Sequence, residues 1–392
     1  MSILDQRLVD ERARLRHPMA FFTSDTRGRV HLEAPDDIRT CFERDDHRIL
    51  HAKPFRRLRN KTQVFFSPEN DHITTRMDHS LYVATIARTI CRALSLNDDL
   101  AYAIALGHDL GHAPFGHSGE RILNDMLLRH LPDASRRPAW SHEAQSLRVV
   151  DHLSRVSGRD FPGLNLSYEV RDGIRCHCGE SREPVIHPRP ASDERDPSRF
   201  EGRETTPITL EGCVVRMADR IAYLGRDYED AQVALGALLP PLPPRVGAAL
   251  GVDNRGIINT LVRDIIERNG RHREEIGFSD EVQEAALELR DFNYRHIYGQ
   301  ERLEAYRVKA DGILVRIFEE AHALLARTPR GDWDRVDPEH PFHQQSLARF
   351  ISGAAYDWET EPALAVVDWI SLMSDGFAFK VFASMVLPEP LV

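Results

Sequence analysis

Apolar residues recur at three- and four-residue intervals over most of this 392-residue chain, the period of a helix buried on one face. The pattern predicts helices over 74–95, 97–111, 141–156, 209–235, 256–269, 279–299, 301–327, 344–357 and 361–386. Two starts carry capping residues. Asn97 precedes two aspartates and an apolar run, and Ser141 heads the segment after it. Strict alternation is scarce, and "GRVHL" (28–32) comes nearest to a strand. The fold class expected is all-α. Residues 179–206 are polar and rich in Pro, Asp and Arg, so a long loop is expected there; "LPPLPPRVG" (239–247) is a second break. The chain then divides into an N-terminal arm (1–37), a core (38–235) carrying the loop, and a C-terminal helical region (236–392).

Composition narrows the class. Hydrophobic residues make up 42% and charged residues 29%, ordinary for a soluble globular protein. No apolar run reaches the roughly 18 residues of a membrane span. The first residues are charged throughout, so no signal peptide is expected. Five scattered cysteines suit a reducing cytoplasm better than a disulfide framework. Net charge is −10, which argues against a general nucleic-acid coat, although local basic patches stay possible. Only four of the 51 basic residues are lysine, and arginine forks suit phosphate oxygens.

The densest chemistry is "HDLGHAPFGHSGE" (108–120), which follows the apolar run "LAYAIAL" (100–106). His108 and Asp109 can converge on one ion only near a helix end, because neighbouring helix residues point about 100° apart. His79 in "RMDHS" and Asp219 in "RMADRIAYL" are further donors. Asp219 sits inside an apolar helix, where a carboxylate is costly unless paired with an arginine or bound to metal. His79, His108, Asp109 and Asp219 would make a two-histidine, two-carboxylate site open to Mn²⁺, Mg²⁺, Co²⁺, Ni²⁺, Fe²⁺ or Zn²⁺. His112 shares the face of His108 if the helix continues. Pro114 and Gly116 then turn the chain, and His117 with Glu120 reads either as an acid–base pair or as a turn-stabilising contact. His142 beside Glu143 is a pocket residue or a surface helix start. "FRRLRNKTQVF" (55–65) carries Arg56, Arg57, Arg59 and Lys61, for phosphate or for solvent. "RCHCGE" (175–180) lacks the paired spacing of a structural zinc site.

The order His79, His108–Asp109, Asp219 resembles the HD phosphohydrolases. The surrounding "RILHAKPFRRLRNKTQVF", "LGHDLGHAPFGHSGE", "GLNLSYEVRDGI" and "RMADRIAYLGRDYEDA" are similar to the bacterial dGTPase-like dNTP triphosphohydrolases, over about 38–325. The resemblance implies an HD-domain helical fold for 38–235, with C-terminal helices that complete the pocket and oligomer contacts. It implies metal-dependent release of intact triphosphate from a dNTP. By motif position, His79, His108, Asp109 and Asp219 would hold the metal. His112 and His117 would flank the α-phosphate, His117 would protonate the 5′-oxygen, Glu120 would orient it, and His142 would join the pocket. Arg76, Lys61, Arg220 and Tyr223 would meet the triphosphate, and Gln63 and Asp227 the sugar. A homo-oligomer (dimer to hexamer) and a dNTP or single-stranded DNA effector are further implications. Two departures stand out: Arg220 where some members have Lys, and Gly376 in "MSDG" where many have Arg. The alternatives are an HD nucleotidase or phosphodiesterase, and a nucleotide- or DNA-responsive regulator with weak activity.

Overall fold

The structure, a computed structural model, describes residues 2–65, 70, 72–131, 139–178, 184–201, 204–270, 272–328, 333, 339–353 and 359–388. Sixteen α-helices are present among them: α1 (Ile3–Arg14), α2 (Cys41–His51), α3 (Lys53–Arg57), α4 (Arg76–Leu94), α5 (Asp98–Gly107), α6 (Gly116–His130), α7 (His142–Arg148), α8 (Tyr168–Cys176), α9 (Leu210–Leu235), α10 (Pro244–Ala249), α11 (Asn254–Asn269), α12 (Asp280–Asn293), α13 (Glu301–Arg327), α14 (Phe342–Ser352), α15 (Pro362–Ser371) and α16 (Asp375–Val386). The one described sheet pairs β1 (Val185–Ile186) with β2 (Ile276–Gly277), antiparallel. The all-α expectation holds.

Helix α5 explains why the chain collapses as it does. The Asn97 side chain accepts from the backbone of Asp99 and Leu100, and two aspartates fill the positive end. Leu100, Ala101, Ala103, Ile104, Ala105 and Leu106 are all buried, so the helix is apolar almost all round and takes the centre of a core. Helices α2, α4, α8 and α9 pack on it, and α11 and α12 extend the same core. A second core joins α6 with α13, α14, α15 and α16. The first core takes in Leu106 and Leu110, and the second begins at Ala113 and Phe115. The histidine-rich turn therefore crosses from one core to the other.

Several elements differ from the sequence pattern. The 97–111 segment stops being helical at Gly107, with His108 as its C-cap. The 361–386 segment is two helices, because Ser374 accepts from Phe377 N and starts α16 afresh. Segments 141–156 and 279–299 relax into short π turns at Val149–Leu153 and Tyr294–Tyr298. "GRVHL" makes one isolated bridge, Arg29 with Ser167, and no strand. Part of the loop at 179–206 and residues 354–357 lie outside the described residues. The first 37 residues contain α1 and are tied to the first core. Buried Glu11 accepts from Thr23 N (3.0 Å) and Asn97 Nδ2 (3.2 Å), and Arg29 pairs with the buried Asp45.

Close approach of α7 to the turn fixes one residue type. A Cβ at Gly111 would lie 2.1 Å from Ser146 N and 2.6 Å from His142 O, both backbone atoms that cannot step aside. Gly111→Ala is predicted to cost about 3 kcal/mol or more, at the upper end of overpacking effects, read as a lower urea midpoint with an unchanged slope.

Candidate active site

The site gathers at the end of α5, where four elements present side chains to one point. Thr75 caps α4 in a reciprocal box with Asp78 and so sets His79 on the first turn. The C-terminal end of α5 delivers His108 and Asp109, α9 brings Asp219 from below, and the end of α8 brings His177. Asp219 Oδ1 lies 2.8 Å from His79 Nε2 and 3.9 Å from His108 Nε2, and Asp109 Oδ1 lies 3.4 Å from His108 Nε2. Asp109 also meets His112 Nε2 (3.1 Å) and Arg76 (3.0 Å).

These donors fit a divalent cation. His108 Nδ1 donates to Ala105 O (2.6 Å), which fixes the tautomer and turns the Nε2 lone pair into the cluster. That Nε2 is buried and has no hydrogen-bond partner, although two carboxylates flank it. Overlapping donor groups, His79–His108–Asp219 and His108–Asp109–His177, share His108. His177 is the donor that the sequence did not single out. Its Nδ1 donates to Ile174 O (2.7 Å), as His108 does to Ala105 O three residues back. Only its place in "RCHCGE" pointed to it, and that motif lacks the paired spacing of a zinc site.

Burial and charge work against each other here. Burial acts to raise the Asp109 carboxyl, but His108, His112 and Arg76 outweigh it and hold it well below the usual carboxylate range. Burial likewise opposes the ionised Asp219, and the bond from His79 keeps it low. His112 is pushed well down by burial and by Arg76. His142 is raised well above the ordinary histidine range, because Glu143 and Glu120 overcome its burial. His177 falls to about 4 through burial and the neighbouring His108 and His142.

His117, Glu120 and His142 form a chain of contacts at the rim. His142 Nδ1 is 3.1 Å from Glu120 Oε2, and Glu120 Oε2 is 3.6 Å from His117 Nδ1. The His117 side chain is 72% exposed, whereas Glu120 and His142 are buried, so the triad runs from the interior to solvent. His112 stacks on His142 at 3.9 Å. It stays in the site although α5 ends before it, because a tight turn replaces the helix. Phe115 in that turn has φ +64° and Gly116 φ +62°. A left-handed phenylalanine is uncommon and needs holding.

Ten of the fourteen sequence candidates line one cleft of about 80 Å³: Gln63, Arg76, His79, Asp109, His112, His117, His142, Asp219, Arg220 and Tyr223. Cys178, Arg216 and His177 complete it. His108 and Glu120 sit just behind. Two candidates face elsewhere. Lys61 Nζ donates to the carbonyls of His112 and Ser371 (2.7 Å to the latter), and Asp227 accepts from Tyr298 OH. Burial raises Asp227 to about 7. Arg56 and Arg57 border a second cleft of about 790 Å³, whose lining includes eight arginines and Lys53 and no carboxylate.

The sequence matches the HD domain over residues 76–224 and the phosphohydrolase-associated domain over 276–384. Thus the HD match runs from α4 into α9, and α12 to α16 fall in the associated domain. A "Deoxyguanosinetriphosphate triphosphohydrolase-like protein" of Caldanaerobacter subterraneus is 39% identical over 96% of this chain and 94% of its own length. A protein of the same name from Desulfatibacillum aliphaticivorans is 37% identical over 96% and 95%, and one from Clostridium perfringens 40% over 89% and 93%. A solved structure of a hypothetical protein from Aquifex aeolicus aligns with 74% of this chain and 63% of its own, at 20% identity and a TM-score of 0.37. The chain belongs to the HD-domain dGTP triphosphohydrolase-like family. No helix among the described residues is long and apolar enough to cross a membrane.

Asp219→Asn is predicted to weaken Mn²⁺ binding at least tenfold in equilibrium dialysis. Metal at about 100 times its dissociation constant should stabilise the native protein by about 2.7 kcal/mol, and the variant far less at the same concentration.

Proposed function

We propose that this protein hydrolyses deoxynucleoside triphosphates at the α-phosphate, giving the deoxynucleoside and inorganic triphosphate. The observation that carries the proposal is the His117–Glu120–His142 relay set at the rim beside four metal donors. A dication held by His79, His108, Asp109 and Asp219 would polarise the phosphate and lower the pKa of a water towards about 7. The mixed nitrogen and oxygen donor set suits Mn²⁺, Mg²⁺, Co²⁺, Ni²⁺, Fe²⁺ or Zn²⁺.

The chain's own residues do the rest. Water adds across the P–O5′ bond: its oxygen goes to the α-phosphorus, and the 5′-oxygen leaves with a proton from His117. Glu120 lies 3.6 Å from His117 Nδ1 and keeps that ring aimed at the leaving oxygen, and His142 holds Glu120 in turn. Arg76, Arg216 and Arg220 surround the anionic end of the cleft. Arg220 supports this role because it has no carboxylate ion-pair partner among the described residues, although it is buried. The cleft has room for a phosphate group but not for a whole nucleotide, so the sugar and base extend towards Gln63 and Tyr223 as side chains part. Lys61 supports the pocket wall rather than the phosphate. The reaction places the protein in the cytoplasm with its nucleotide substrate, and family membership favours a homo-oligomer.

The arginine-lined second cleft favours one addition, an effector: a dNTP or single-stranded DNA. Arg56→Glu is predicted to abolish fluorescent single-stranded DNA binding, and wild-type binding should fall steeply with salt. Unchanged binding in the variant removes the cleft from the proposal.

The direct test is incubation with each dNTP and with GTP, with Mn²⁺ or Mg²⁺ and with chelator, followed by ion-exchange chromatography. Deoxynucleoside and intact triphosphate are expected, with nothing formed under chelator. Monophosphate and pyrophosphate would sink the proposed bond cleavage. His117→Ala should lower kcat by about 10²- to 10⁴-fold without changing metal affinity.

A further inference from the structure

The catalytic turn is held by a segment more than 250 residues away. Asp375 begins α16, directly after its Ser374 cap, and is 2% exposed. Its Oδ1 accepts from Phe115 N (3.0 Å), and its Oδ2 accepts from Thr62 N (3.0 Å) and from Thr62 Oγ1. One carboxylate thus joins two walls of the pocket: the turn that carries His112 and His117, and the stretch that carries Gln63. Lys61 Nζ bonds to His112 O and Ser371 O and closes the same frame from the other side.

The frame has something to hold. Phe115 is in the left-handed region, immediately before the residues that start α6 and carry His117 and Glu120. Its ring packs on Phe379 of α16 (5.2 Å) and on Tyr306 of α13 (6.1 Å), so α16 grips both its ring and its backbone, with α13 also on the ring. Removing the acceptor from Phe115 N leaves a buried donor unsatisfied, and the turn relaxes towards ordinary backbone angles. His117 then moves relative to the phosphate, while the metal donors on α4, α5 and α9 keep their own supports.

We propose that Asp375 is a positioning residue for the leaving-group acid: it fixes the His112–His117 turn and so couples the C-terminal helices to the rate of proton delivery. The kinetic part rests on the proposed function, and the structural part does not. A Cβ at the neighbouring Gly376 meets nothing within 4 Å, so the tie is made by Asp375 without it.

Asp375→Asn tests this in the full-length protein. The amide keeps one acceptor oxygen and puts an NH₂ against one of the two backbone donors. On the dNTP that the wild type turns over best, kcat should fall at least 30-fold, with KM and Mn²⁺ affinity within threefold. Hydrogen exchange in the peptide spanning 110–120 should quicken at least tenfold, with α9 peptides unchanged. Thr62→Val, which removes only the hydroxyl contact, should lower kcat less than fivefold and serves as the folded control. Unchanged exchange at 110–120, or a loss shared equally by kcat, KM and metal affinity, would overturn the proposal. A wild type inert towards every dNTP would sink the proposed function, and the exchange result would still decide whether Asp375 holds the turn.

Discussion

Two carboxylates sit among histidine rings, Asp109 buried and Asp219 with a fifth of its side chain exposed, and the molecule is arranged so that they can stay ionised there. An isolated buried carboxylate would take up a proton instead. Here each has cationic or hydrogen-bonding company: Arg76 and His112 at Asp109, and His79 at Asp219. That company is incomplete, because His108 Nε2 faces both carboxylates without a hydrogen bond to either. A divalent cation is the partner that satisfies all three donors at once. The largely buried α5 holds His108 and Asp109 at its end, and α9 holds Asp219 against them.

A second consequence follows from where the donors lie. The proposed metal donors stand on α4, the end of α5 and α9 of the first core, while His117 and Glu120 stand on α6 in the second. The proposed reaction would need both sets within a few ångströms of one phosphate, so it calls for a stiff junction between the cores. Backbone bonds alone do not supply that. Gly111 lets α7 pack against the turn, Lys61 bridges His112 to Ser371, and Asp375 bridges Phe115 to Thr62. The phosphohydrolase-associated domain thus shapes the HD site through its Asp375.

Much of this was legible in residue types. The long amphipathic helices α9 and α13 came out within a residue of the pattern, because strong periodicity and clear ends agreed. The helix over 361–386 did not, since apolar periodicity runs straight through a break that only the Ser374 cap defines. The cluster of His79, His108, Asp109 and Asp219 was readable because a carboxylate inside an apolar helix demands a partner. His177 was not, because a single histidine between two cysteines carries no spacing signal. Nor could the sequence say which way a long side chain turns: Lys61 lies in a basic run that suggested phosphate, yet its ammonium is spent on two carbonyls.

The account depends most on which phosphorus the water attacks. Turnover of a dNTP with divalent metal in H₂¹⁸O, analysed by mass spectrometry, tests this directly. Attack at the α-phosphorus, with the 5′-oxygen leaving on a proton from His117, predicts one ¹⁸O in the inorganic triphosphate and none in the deoxynucleoside. Label in the deoxynucleoside, or in a monophosphate or pyrophosphate product, would contradict it.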